Sequence, residues 1–201
     1  MNKSKSIDKQ RLENFSDGVI AILITILVMT FKIPENYLLR DYTILEFLKF
    51  FIPQLVPYAI SFLVIAVHLV HHHVLFSKMR AVNNTFTWLN LLFLFSLSLI
   101  VYPTALLGQA RNQETSAMLL IGAYLFKALT YRLLNYYAIF KSGLYRTDKT
   151  KKELKRRTII NWIKDPVIEL VAFFLIFINF KISLALIFIM TLSYIAPSKK
   201  M

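Results

Sequence analysis

Blocks of apolar residues separated by short charged stretches constrain this chain more than any other feature. A helix crossing ~30 Å of hydrocarbon needs about 20 residues. Candidate spans run from Phe15 to Phe31, Phe51 to Phe76, Phe86 to Leu107 and Ala117 to Phe140. Between Pro166 and Pro197 the chain is almost continuously apolar, too long for one crossing. Asn179 with Lys181 predicts a tight turn there, giving two short crossings, the first extended back through Trp162. Backbone polar groups in lipid must bond to one another, and no strand-type alternation occurs. The fold class is therefore all-α: an integral membrane protein with a six-transmembrane-helix bundle, residues 1–201 forming a single domain. Composition agrees, because 57% hydrophobic against 17% charged residues leaves too little polar surface for a soluble protein. The basic N-terminal segment and the apolar run from Val19 to Val28 imitate a signal peptide, but no small-x-small cleavage site follows, so the whole chain is read as mature.

The net charge of +13 raises the question of nucleic acid. The basic residues sit between apolar blocks and not along one exposed face, so no nucleic-acid partner is expected. They read as topology signals. Lys3, Lys5, Lys9 and Arg11, then Lys78 and Arg80, then the dense run from Lys141 through Arg157, then Lys199 and Lys200 fall on one side. The other side holds only Lys32, Arg40, Lys49, Arg111 and Lys181. Positive charge stays inside, which predicts a multi-pass protein of the cell membrane with both termini cytoplasmic. The dense fourth connection suits anionic lipid headgroups, and Trp88 and Trp162 fall at the cytoplasmic interface. The absence of cysteine excludes disulfides, thiolate metal sites and cysteine nucleophiles. No nucleophile elbow, H-E-x-x-H or phosphate-binding glycine loop occurs, so neither an enzyme nor a cofactor is expected.

Polar residues inside the first span carry the most information. Ser16, Asp17, Thr25 and Thr30 must face protein or water, because a carboxylate facing lipid is costly. At about 100° per residue, Ile22, Ile26 and Met29 cluster on one side, Thr25 lies beside Ile22, and Asp17 points away. Asp17 falls at the same depth as His71, His72 and His73 at the end of helix 2 and Asn90 at the start of helix 3. A buried network joining these helices is predicted, with Asp17 and Ser16 accepting from an imidazole and an amide. Three successive histidines also suggest a metal, but adjacent positions diverge and no carboxylate stands at the right spacing, so no metal site is assigned. Lys127 and Glu169 lie inside later spans and either pair or, for Lys127, snorkel toward Arg132 and the interface.

The stretch Arg11, Phe15, Ser16, Asp17, in the form R-x-x-x-F-S-D followed by G-V-I-A-I-x-x-T, resembles the signature of the transmembrane protein 175 family of lysosomal potassium channels and their prokaryotic relatives. The likeness continues through SFLVIAVHLVHHHVLF and NLLFLFSLSLIVYP, where the family carries a histidine pair, an Asn and a Pro. The family's Trp three residues before that pair is His68 or Leu69 here, so the pair is His71 with His72 or His72 with His73. The resemblance implies a homotetramer of six-helix subunits in the lipid bilayer, with helix 1 lining a central pore for potassium ions. It implies a constriction at Ile22, Ile26 and Met29, a selectivity layer at Thr25, and a structural network of Arg11, Phe15, Ser16, Asp17, His71, His72 and Asn90. Without a TVGYG-like filter, only modest preference for potassium over sodium is expected. The competing readings are a proton-coupled secondary transporter, which needs a midplane cavity inside one subunit, and a non-conducting membrane scaffold.

Overall fold

The computed structural model describes residues 8–34, 41–109, 113–146 and 167–195, and these form antiparallel helices. α1 is Lys9–Val28, α2 Ile44–Ser77, α3 Asn84–Ser98, α4 Val101–Gln109 and α5 Gln113–Tyr136. A π-helical turn, Tyr137–Lys141, extends α5. Residues 167–175 form α6, and Phe180–Ile195 forms α7. Because α3 and α4 continue one another, these make six helical segments in alternating directions. Ile44–Ser77, Asn84–Gln109 and Gln113–Lys141 are each long and apolar enough to span a membrane, while α1 is 20 residues long and carries its charges near its start. Among the described residues the only extended pairing is an isolated bridge between Met79 and Tyr145, which joins the ends of α2 and α5. The extension of the fifth span through Trp162 and most of the basic fourth connection lie outside the described residues.

Local chemistry sets the helix limits. Asp8 accepts from the Gln10 amide at 3.0 Å and caps α1. Thr43 and Glu46 form a reciprocal capping box, so α2 starts at Ile44 and not at Phe51, the beginning of its apolar block. Asn83 caps α3 by accepting from the Phe86 amide at 2.9 Å. The break between α3 and α4 falls at Leu99 and Ile100, four and three residues before Pro103. Proline has no N–H to bond the carbonyl four residues back, and its ring crowds that carbonyl, which is Leu99's. The predicted break in the last apolar stretch is present: the chain turns at 176–178, and Asn179 Oδ1 accepts from the Lys181 amide at 2.9 Å to start α7.

The bundle interior is aromatic and aliphatic, with Phe76, Phe86, Phe93, Tyr124, Ile65 and Leu97 fully buried. Lipid tails are as apolar as these side chains, so hydrophobic burial alone does not hold such helices together. Interhelical hydrogen bonds contribute. Ser61 links α2 to Thr104 of α4 and to Tyr124 of α5, both at 2.7 Å. Ser96 of α3 bonds Thr130 of α5 at 2.7 Å, and Ser183 of α7 donates to the Ala172 carbonyl of α6. Lys127 of α5 reaches Glu169 of α6 at 3.1 Å, with each residue only 3% exposed. That contact overturns the snorkelling alternative: the ammonium finds its counterion inside the bundle and does not reach for the interface.

Candidate functional site

α1 has two faces with different tasks. Leu12, Ser16, Ile20, Leu23 and Leu27 turn inward and are buried. Arg11, Phe15, Gly18, Ile22, Thr25 and Met29 are exposed, and their spacings alternate between four and three residues. That alternation is the spacing by which a helix packs along copies of itself. Ile22 is 57% and Met29 80% exposed in the single chain, with Ile26 exposed beside them, so the row is not part of the subunit's own core.

The inward face begins with a directed chain of hydrogen bonds. Asn90 Oδ1 only accepts, so His72 Nε2 donates to it, at 2.8 Å. Asn90 Nδ2 then donates to Ser16 Oγ at 2.8 Å, and Ser16 Oγ donates to the Leu12 carbonyl at 2.8 Å. All three side chains are fully buried, and together they join α2, α3 and α1. The His72 ring is fixed by Phe76 at 4.4 Å and Phe93 at 6.0 Å between centroids. Its Nδ1 stands 3.8 Å from Asp17 Oδ1, and neither atom has a hydrogen-bond partner. Asp17 therefore sits beside the network as a charge neighbour and does not accept the imidazole proton.

The other histidines diverge as a helix requires. His71 turns to a different side of α2, its ring 5.4 Å from Tyr194 of α7, so the expectation that it shares the network with His72 is corrected. Successive helical positions point about 100° apart, which separates the two rings. His73 Nδ1 lies 3.5 Å from Glu13 Oε1, a second tie between α1 and α2. Arg11 and Phe15 stay on the exposed row, away from the buried bonds. Among the described residues no group of three metal-binding side chains comes together.

Sequence reasoning missed the attachment of the far end of α1. Gln54 of α2 brackets Lys32: its Oε1 accepts from the Lys32 amide at 2.8 Å and its Nε2 donates to the Lys32 carbonyl at 3.2 Å. Gln109 Nε2 donates to the Thr30 carbonyl at 2.7 Å. Phe31 packs on Phe51 and Tyr58 at 5.1 and 5.0 Å. The available signal was a glutamine in an apolar helix between Pro53 and Pro57. Gly108 makes this arrangement possible, because a Cβ there would lie 3.0 Å from the Gln54 Cα. Gly108→Val should push α4 from α2 and cost about 1–3 kcal/mol, read as a lower Tm in detergent. Asn90→Leu should cost about 1–3 kcal/mol for each buried partner it orphans. An unchanged Tm for Asn90→Leu would show that the bonded chain carries no stability.

The fold and the first helix define a helical membrane protein whose α1 buries a polar network on one face and exposes a regular row on the other. Residues 11–100 match the family described as "Endosomal/lysosomal potassium channel TMEM175". A potassium channel of Chamaesiphon minutus is 30% identical over 187 residues, 92% of each chain. One from a Chryseobacterium species is 33% identical over 126 residues, 63% of this chain and 62% of that relative. The crystal structure of a lysosomal potassium-selective channel TMEM175 homolog from Chamaesiphon minutus superposes with TM-score 0.80 at 28% identity, covering 93% of this chain and 96% of that one. The potassium channel MtTMEM175, in complex with a Nanobody-MBP fusion protein, shares the fold at TM-score 0.60 and 22% identity, covering 96% and 94%. The chain belongs to the TMEM175 family, a family of ion channels and not of enzymes.

Proposed function

We propose that this chain is the subunit of a homotetrameric, potassium-permeable cation channel of the cell membrane. The chain forms one channel domain with both termini cytoplasmic, and the first helices of four copies surround the ion path. The observation that carries this reading is the exposed row with alternating four- and three-residue spacing on α1. One helix cannot enclose a path, and cyclic symmetry places the same face of each copy on a common axis. Ile22, Ile26 and Met29 then form apolar rings that close the path by dewetting. Thr25 Oγ1 donates to the Ile22 carbonyl at 2.8 Å, so its oxygen keeps acceptor capacity for a passing cation. Arg11 and Phe15 lie on the same row and meet neighbouring copies, while Ser16, Asp17, His72 and Asn90 hold the helix from behind.

The similarity to proteins named potassium channels supports potassium as the permeant ion. Preference over sodium is modest in this reading, since apolar rings and a hydroxyl layer replace a carbonyl filter. Reconstitution in planar bilayers with potassium on one side and sodium on the other tests it. The expected result is a cation current whose reversal potential favours potassium; no current, or saturable proton-linked flux without unitary conductance, overturns it.

A further inference from the structure

A cavity of about 370 Å³ lies between α2, α5, α6 and α7, and none of its lining residues belongs to α1. Its size falls within the ~300–1,000 Å³ of small-ligand sites. Polar side chains gather on part of the wall, with Lys127, Arg132, Glu169 and His68, while Val64 and Ile187 are among those forming an apolar remainder. Among the described lining residues Lys127 and Arg132 are basic and Glu169 is acidic. Lys127 uses one of its three N–H donors on Glu169 at 3.1 Å, which leaves two for a second anion.

We propose that this cavity binds a single-chain anionic amphiphile, an acyl carboxylate, with its head at Lys127 and its chain along the apolar wall. The chemistry needs both parts. A small inorganic or carboxylate anion would leave the apolar wall uncovered, and a neutral chain would leave the spare Lys127 donors unused. The site is separate from the exposed row on α1, so it stands or falls independently of the pore.

Equilibrium binding of labelled dodecanoate to the full-length protein in a maltoside detergent tests this, with labelled dodecanol and acetate as the other arms. The wild-type protein should bind dodecanoate saturably, dodecanol about tenfold more weakly and acetate not at all. The double substitution Lys127→Met with Glu169→Leu removes the head contact together with the Lys127 counterion, and should weaken dodecanoate about tenfold. Ala128→Leu leaves every charge in place and fills the cavity that Ala128 lines; it should weaken dodecanoate similarly. Equal binding of dodecanol, unchanged binding in either variant, or no saturable dodecanoate binding to wild type would each overturn the proposal.

Discussion

Ile22→Asn should give channels with several-fold larger potassium current than wild type in planar bilayers at the same voltage. An apolar ring excludes ions because water leaves a narrow greasy passage, and an amide at the same place holds water there. Ile22 is the position to change: it is 57% exposed in the single chain, so a polar replacement leaves the subunit's own packing intact. Met29 is more exposed, but it lies beyond the last helical residue of α1, where the ring is less constrained. Thr25→Val provides the companion measurement, removing the hydroxyl while keeping the shape, and should move the potassium-to-sodium reversal potential. Unchanged currents and reversal potentials in both variants would remove α1 from the ion path.

The second large effect concerns stability. Lys127→Met alone should destabilise the bundle by about 3–5 kcal/mol, since it leaves the Glu169 carboxylate buried without its ammonium. Lys127→Met together with Glu169→Leu should recover most of that loss, because the desolvation cost of both charges disappears with them. Denaturant unfolding of the single and double variants in one detergent gives the coupling energy directly. Additive losses would mean that the 3.1 Å contact contributes nothing between α5 and α6.

Much of the fold was legible because lipid permits few solutions. Apolar block length gave the helices, and Asn179 marked the final turn because a polar residue there interrupts an otherwise continuous run. The shared depth of Asp17, the three histidines and Asn90 followed from alternating helix directions; the structure joins His72 and Asn90 to Ser16 in one bonded chain and leaves Asp17 beside it, 3.8 Å from His72. Other features were hidden for identifiable reasons. Hydropathy treats His71 and His72 alike, yet one residue of rotation turns them toward different neighbours, Tyr194 and Asn90. A lone lysine in an apolar span reads the same whether it pairs or snorkels, and only the docking of α6 against α5 decides it. Gln54 and Gln109 are uncharged, and their partners are backbone atoms of another helix, which no side-chain pattern records. The split at Pro103 needed only the rule for proline, but the apolar run across it concealed the change of helix.

The amide grips on Lys32 and Thr30 have a mechanical consequence. α1 is fastened to α2 and α3 near its start and to α2 and α4 beyond its end, so it cannot slide or spin alone without breaking hydrogen bonds at one extremity. If copies assemble as proposed, any change in the separation of its exposed row between them carries those neighbouring helices along. On the proposed reading, the aperture answers to the tilt of a braced panel, and a stimulus applied to the outer helices has a rigid route to the axis.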